Sequence, residues 1–129
     1  MTRITLNRTL CLAAAAVVLG GCATSEPFSY LDGRRYYQAQ MNVSNASIAS
    51  VDGKDYVQNP VRIDPGVHEI TLETRPVGGF RFADKRTITL DVKPCKRYYF
   101  AAVRETALSQ DWQPKVDYVE DIAGCGSKG

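Results

Sequence analysis

Residues 51–74 read VDGKDYVQNPVRIDPGVHEITLET. Turn chemistry and strand periodicity meet in this stretch. Asp52-Gly53-Lys54-Asp55 is flanked by Ile48–Val51 and Tyr56–Val57. An Asp-Gly pair between apolar residues predicts a hairpin, because glycine takes a positive φ without steric cost. Val61 and Ile63 make a short strand that ends at Asp64-Pro65-Gly66, a second turn. From Val67 to Thr74 apolar and polar residues alternate, with His68, Ile70 and Leu72 on one face, the period of a half-buried strand.

The same pattern extends in both directions. Tyr37, Ala39, Met41 and Val43 alternate with Gln38, Gln40 and Asn42, which predicts a strand. Arg75–Arg81 holds a proline and two glycines and reads as a loop. Thr87–Val92 turns Ile88, Leu90 and Val92 inward, and Pro94-Cys95 turns the chain. Tyr98–Val103 reads YYFAAV, apolar on both faces like a central strand. In Trp112–Ile122, Trp112, Val116, Tyr118 and Ile122 are in phase. After Cys22 no window carries a helical period. Seven or eight short, mostly antiparallel strands separated by Gly/Pro turns predict an all-β fold, a small β-sandwich. Its boundaries are 35–125, after a tether at 22–34 and before a glycine-rich tail at 126–129. Hydrophobic content of 44% suits one modest core.

The first 21 residues have a different character. Arg3 and Arg8 precede the apolar run LCLAAAAVVL at Leu10–Leu19, with no acidic residue. This is the pattern of a secretory signal, expected to be helical, and too short to cross a bilayer. Leu19-Gly20-Gly21-Cys22 resembles the lipobox of bacterial lipoproteins. The resemblance implies cleavage between Gly21 and Cys22, diacylglycerol in thioether linkage on Cys22, and a further acyl chain, such as palmitate, on the new amino terminus. Several chains give stable anchoring where one is marginal. Residue 23 is alanine, and the absence of aspartate there resembles the default for transport to the outer membrane, facing the periplasm.

A second resemblance concerns the mature chain. Val51-Asp52-Gly53-Lys54 followed by Ile63-Asp64-Pro65-Gly66-Val67-His68-Glu69-Ile70-Thr71-Leu72 is similar to the core of small PEGA-like domains, β-modules of bacterial cell-envelope proteins. The likeness spans roughly residues 36–122 and implies a fold and an address, with no reaction.

Motif chemistry is sparse. His68 is the one histidine, and its place at the strand mouth predicts a backbone hydrogen bond at the core edge. No Cys-x-x-Cys or His-x-x-x-His spacing supports zinc, and Asp111, Asp117, Glu120 and Asp121 lack the spacing of a calcium loop. Neither a Gly-x-Ser-x-Gly elbow nor a phosphate loop surrounds any candidate nucleophile or glycine pair. The expectation is therefore a non-enzymatic structural or interaction module without metal or cofactor, whose partners are membrane lipid and an envelope protein. An alternative is glycan or peptide binding by Tyr36, Tyr37, Tyr98 and Trp112, set against the commoner use of such aromatics as core.

Charge is uneven. Arg3 and Arg8 account for the net charge of +2, so the chain from Cys22 is balanced and offers nucleic acid no general attraction. Within it, Arg75–Arg104 is basic and Glu105–Asp121 acidic; the two segments are expected to pair across the sandwich, rather than form a basic patch for anionic lipid. Finally, removal of Cys11 and acylation of Cys22 leave Cys95 and Cys125 as an even pair in an oxidising compartment, which predicts a disulfide. If the strands on either side are antiparallel neighbours, both sulfurs lie at one edge. The closed loop of about 31 residues contributes roughly 3–4 kcal/mol in the loop-entropy model.

Overall fold

A computed structural model of the chain describes residues 26–34, 40–77 and 83–126. The leader, Cys22, and Tyr36 and Tyr37 lie outside the described residues. The fold is all-β. Among the described residues nine strands form two sheets: β1 (Ser29–Asp32), β2 (Val43–Asn45), β3 (Ser47–Val51), β4 (Lys54–Asp55), β5 (Val61–Ile63), β6 (Gly66–Thr74), β7 (Asp84–Val92), β8 (Lys96–Arg104) and β9 (Trp112–Asp121).

Sheet A is built around β8, as its two-sided apolarity predicts. β9 pairs along one side of β8 from Lys96↔Asp121 to Arg104↔Trp112. Two short strands share the other side: β1 runs parallel to β8 beside Arg97–Tyr99, and β2 runs antiparallel beside Ala101–Val103. β5 closes the sheet beyond β1. Sheet B has the order β4-β3-β6-β7, all antiparallel. The sheets pack face to face through Leu31, Phe100 and Trp112 of A and Ile70, Leu72 and Val92 of B, all nearly or fully buried. At about 25 cal/mol per Å² of apolar surface removed from water, such a core is the main stabilising term of a small domain.

Local chemistry sets the turns. Asp52 and Gly53 have φ of 50° and 79°, the left-handed pair that closes a two-residue hairpin between Val51 and Lys54. The loop is tighter than the flanking residues suggested: β4 stops at Asp55, and Val57 is fully exposed. Asp64-Pro65 and Lys93–Cys95 carry the chain from one sheet to the other.

Three expectations are corrected. Ser29–Asp32, assigned above to the tether, is strand β1 with Ser29, Leu31 and Asp32 buried, because the Phe28–Leu31 segment fits beside β8. Of the strand expected over 37–43, residues 37–39 lie outside the described residues; Met41 sits in an exposed turn, and pairing begins only at Val43. In β9 a bulge intervenes: Tyr99 faces Tyr118 and Phe100 faces Val116, so Asp117 is the extra residue. Cross-strand partners share a face. Val116 therefore lies inward with Phe100, whereas Tyr118 moves to the outer face with Tyr99, out of phase with Trp112.

Candidate functional site

Strand directions give the sandwich two distinct ends. β1 and β8 both start at one end, β9 finishes there, and the chain enters there. Cys95 and Cys125 are joined at this entry end, with Cα atoms 5.4 Å apart, because β8 and β9 are antiparallel neighbours as expected. The Cys95 amide donates to Phe28 O (2.9 Å) and the Ile122 amide to Cys95 O (2.9 Å). Ser29 Oγ donates to Lys93 O and accepts from the Lys96 amide. Entry segment, crossover turn and C-terminal segment are thus tied in one knot of bonds.

Near the same end His68 works as a clasp. Its Nε2 lies 2.8 Å from Asp64 O and its Nδ1 2.5 Å from Asp52 Oδ2. Both partners are acceptors, so both ring nitrogens carry protons when both bonds are made. Burial opposes the charged ring, but the bonds to Asp52 and Asp64 outweigh it and raise its pKa above the usual value. The Asp52 carboxylate, which also accepts from the Glu69 amide, is lowered by those bonds. The expected backbone bond is present, and the carboxylate partner is an addition that sequence spacing did not reveal.

The opposite end holds the candidate site. There β1 stops at Asp32, and Gly33 passes the β2–β3 junction so closely that an added Cβ would stand 2.9 Å from Ala46 O. Beside β2, past the ends of β1 and β5, a cavity of about 530 Å³ opens. Arg34, Ser44, Asn45, Gln58, Asn59 and Arg75 supply its polar wall, and Val57 and Val77 line it as well. Asp32 lies beneath, fully buried. Its Oδ1 accepts from the Arg34 amide (2.9 Å), Arg34 Nε (3.1 Å) and Asn59 Nδ2 (3.0 Å). Its Oδ2 accepts from Arg34 (2.9 Å) and twice from Arg97 (2.9 and 2.5 Å). Burial alone would raise the Asp32 pKa; the bonds from Arg34, Arg97 and Asn59 outweigh it and hold the carboxyl far below the usual range.

Behind this wall sits Arg104, 5% exposed. Its guanidinium donates to Ser109 O (3.0 Å), Ser44 Oγ (2.7 Å) and Thr74 Oγ1 (3.0 Å), all neutral acceptors. Buried charges are usually paired, whereas these three acceptors of the guanidinium are all neutral.

The predicted ligand aromatics divide. Tyr98 and Trp112 are core, 5% and 1% exposed, and therefore do not form a ligand surface. Their polar atoms are engaged internally: the Tyr98 hydroxyl accepts from the Lys93 amide, and Trp112 Nε1 donates to Asp84. Tyr30 and Tyr99 share Arg97 in cation–π contact, and Arg62 covers Phe28 at 3.9 Å. The basic and acidic runs touch at Lys96–Asp121, on neighbouring strands of sheet A, and at Arg86–Asp111, while Lys93 and Arg97 pair with Asp91 and Asp32 outside the acidic run. Among the described residues no group of three His, Cys, Asp or Glu side chains is arranged to hold a metal.

No family model, curated protein or solved structure matches this chain. Sequence reading missed Asp32, Arg34, Arg97 and Arg104 as a set. The alternation in Phe28-Ser29-Tyr30-Leu31 was the one available signal for β1, and the neighbouring Pro27, Asp32 and Gly33 masked it.

Proposed function

We propose that the chain is a lipid-anchored module of the bacterial cell envelope that acts by binding, without turnover. In this reading it is cut before Cys22, acylated there and held at the outer membrane facing the periplasm, with its far end offered to an envelope partner. The observation that carries the reading is the placement of the two ends. Glu26 is only four residues beyond Cys22, so the lipid lies within ~14 Å of the point where the chain enters the described domain. β8 rises away from that end for nine residues, about 30 Å, which puts the polar cavity on the side away from the lipid. The disulfide suits an oxidising compartment. The turn pattern, which resembles that of PEGA-like envelope modules, supports the same address.

Metabolic labelling with a fatty acid tests the anchor. Wild type is expected to take up label and fractionate with membranes, and Cys22→Ser to do neither or to remain uncut. Label that persists in Cys22→Ser, or never appears in wild type, would overturn the anchor.

A further inference from the structure

We infer that the cavity at the far end of the sandwich binds a carboxylate, presented by the C-terminus of an extended peptide. The inference rests on the binding-module reading and is independent of the lipid anchor. It follows from the charge and donor inventory of the cavity. Among the described residues that line it none is Asp or Glu, while Arg34 and Arg75 both line it. Among the described residues Arg75 makes no ion pair.

The buried carboxylate beneath does not neutralise the site. Asp32 carries one negative charge against Arg34 and Arg97, and its two oxygens already accept six N–H groups. Arg104 adds a third cation behind the wall. By donating to Ser44 Oγ, it leaves the serine proton as a donor at the cavity. Of the acids elsewhere at this end, Asp84 and Asp111 share Arg86, Glu73 stands opposite Lys85 in the β6–β7 register, and Glu105 is exposed beyond the end of β8.

The geometry selects a planar ligand. Asp32 occupies the Nε edge of Arg34 and one hydrogen of Nη2, leaving Nη1 and the second Nη2 hydrogen as an end-on fork. Such a fork matches a carboxylate bidentately. Gln58 carries an amide suited to a peptide group, and the exposed Val57 with Val77 offers apolar contact to a side chain. The volume, about 530 Å³, lies in the range of small-ligand sites.

The test uses the full chain as recovered from whole cells in detergent, with ¹⁵N-arginine. It is titrated with N-acetyl-alanyl-alanine, with the same dipeptide as its C-terminal amide, and with inorganic phosphate. The free carboxylate is expected to shift the Arg34 and Arg75 side-chain resonances saturably. The amide is expected to bind about tenfold or more weaker, the scale of one charge-assisted bond lost. Arg75→Gln, at an exposed residue outside the core, is expected to weaken the carboxylate about tenfold and leave the amide unchanged. Equal binding of acid and amide, displacement of the peptide by equimolar phosphate, or no saturable shift would each overturn the carboxylate assignment. Loss of fatty-acid label with peptide binding retained would sink the anchor alone.

Discussion

Replacing Asp32 by asparagine removes one charge and one acceptor from a carboxyl group that receives six N–H donors. Whichever way the amide turns, its NH₂ faces donors from Arg34, Asn59 or Arg97. Breaking a buried ion pair costs about 3–5 kcal/mol when the partner stays buried. Here the Arg34 side chain is 63% exposed and that of Arg97 22% exposed. Water can therefore take over much of Arg34 but little of Arg97, and the expected loss is about 2–4 kcal/mol. At roughly 4–8 °C per kcal/mol for a domain of this size, Tm should fall by about 8–32 °C. Urea unfolding followed by the fluorescence of Trp112, the single tryptophan, measures the loss. The pH dependence gives a second arm. The Asp32 pKa is lowered on folding, so its contribution is present above the ordinary carboxyl pKa near 3.9 and is lost as pH falls toward the native value. The gap between wild type and Asp32→Asn should be flat above about pH 5 and narrow below about pH 4. A gap under about 1 kcal/mol at pH 7, or one that widens between pH 5 and pH 3, would refute the reasoning.

Three further outcomes are expected. Cys95→Ser/Cys125→Ser should lower unfolding free energy by roughly 3–4 kcal/mol, from loop entropy over a separation of 30 residues; denaturant titration of oxidised wild type against the double variant measures it, and equal midpoints contradict it. His68 has a raised native pKa, so its clasp is fully present below about pH 6.5 and is lost as pH rises through the native value; wild type should lose stability over that rise relative to His68→Gln, and a constant difference from pH 5.5 to 9 would show that no charged clasp exists. Gly33→Ala should cost about 1–3 kcal/mol, because its Cβ meets backbone atoms of Ala46 and Ser47 that cannot swing aside; a thermal midpoint unchanged from wild type would rule out the close approach.

The amino-acid sequence determined the features that depend on near neighbours in the chain. The Asp52-Gly53 hairpin and the core faces of β6 and β7 follow from steric preference and side-chain period, and both are visible within a few residues. The all-β class follows from the repetition of those signals. The Cys95–Cys125 bond was also legible, because two strands paired antiparallel must bring the start of one beside the finish of the other.

Only the tertiary structure decided where β1 goes, and with it the candidate site. Asp32 and Arg97 are 65 residues apart, and they meet because β1 lies parallel beside β8. Long-range pairing of that kind leaves no local period to read. The bulge at Asp117 likewise reverses the face of Tyr118 without any change in the sequence alternation, since the extra residue is defined only against its partner strand. For Trp112 and Tyr98 the sequence favoured a core but left a binding groove as the alternative. The choice fell to the core because the second sheet covers them, a fact of packing that composition does not contain.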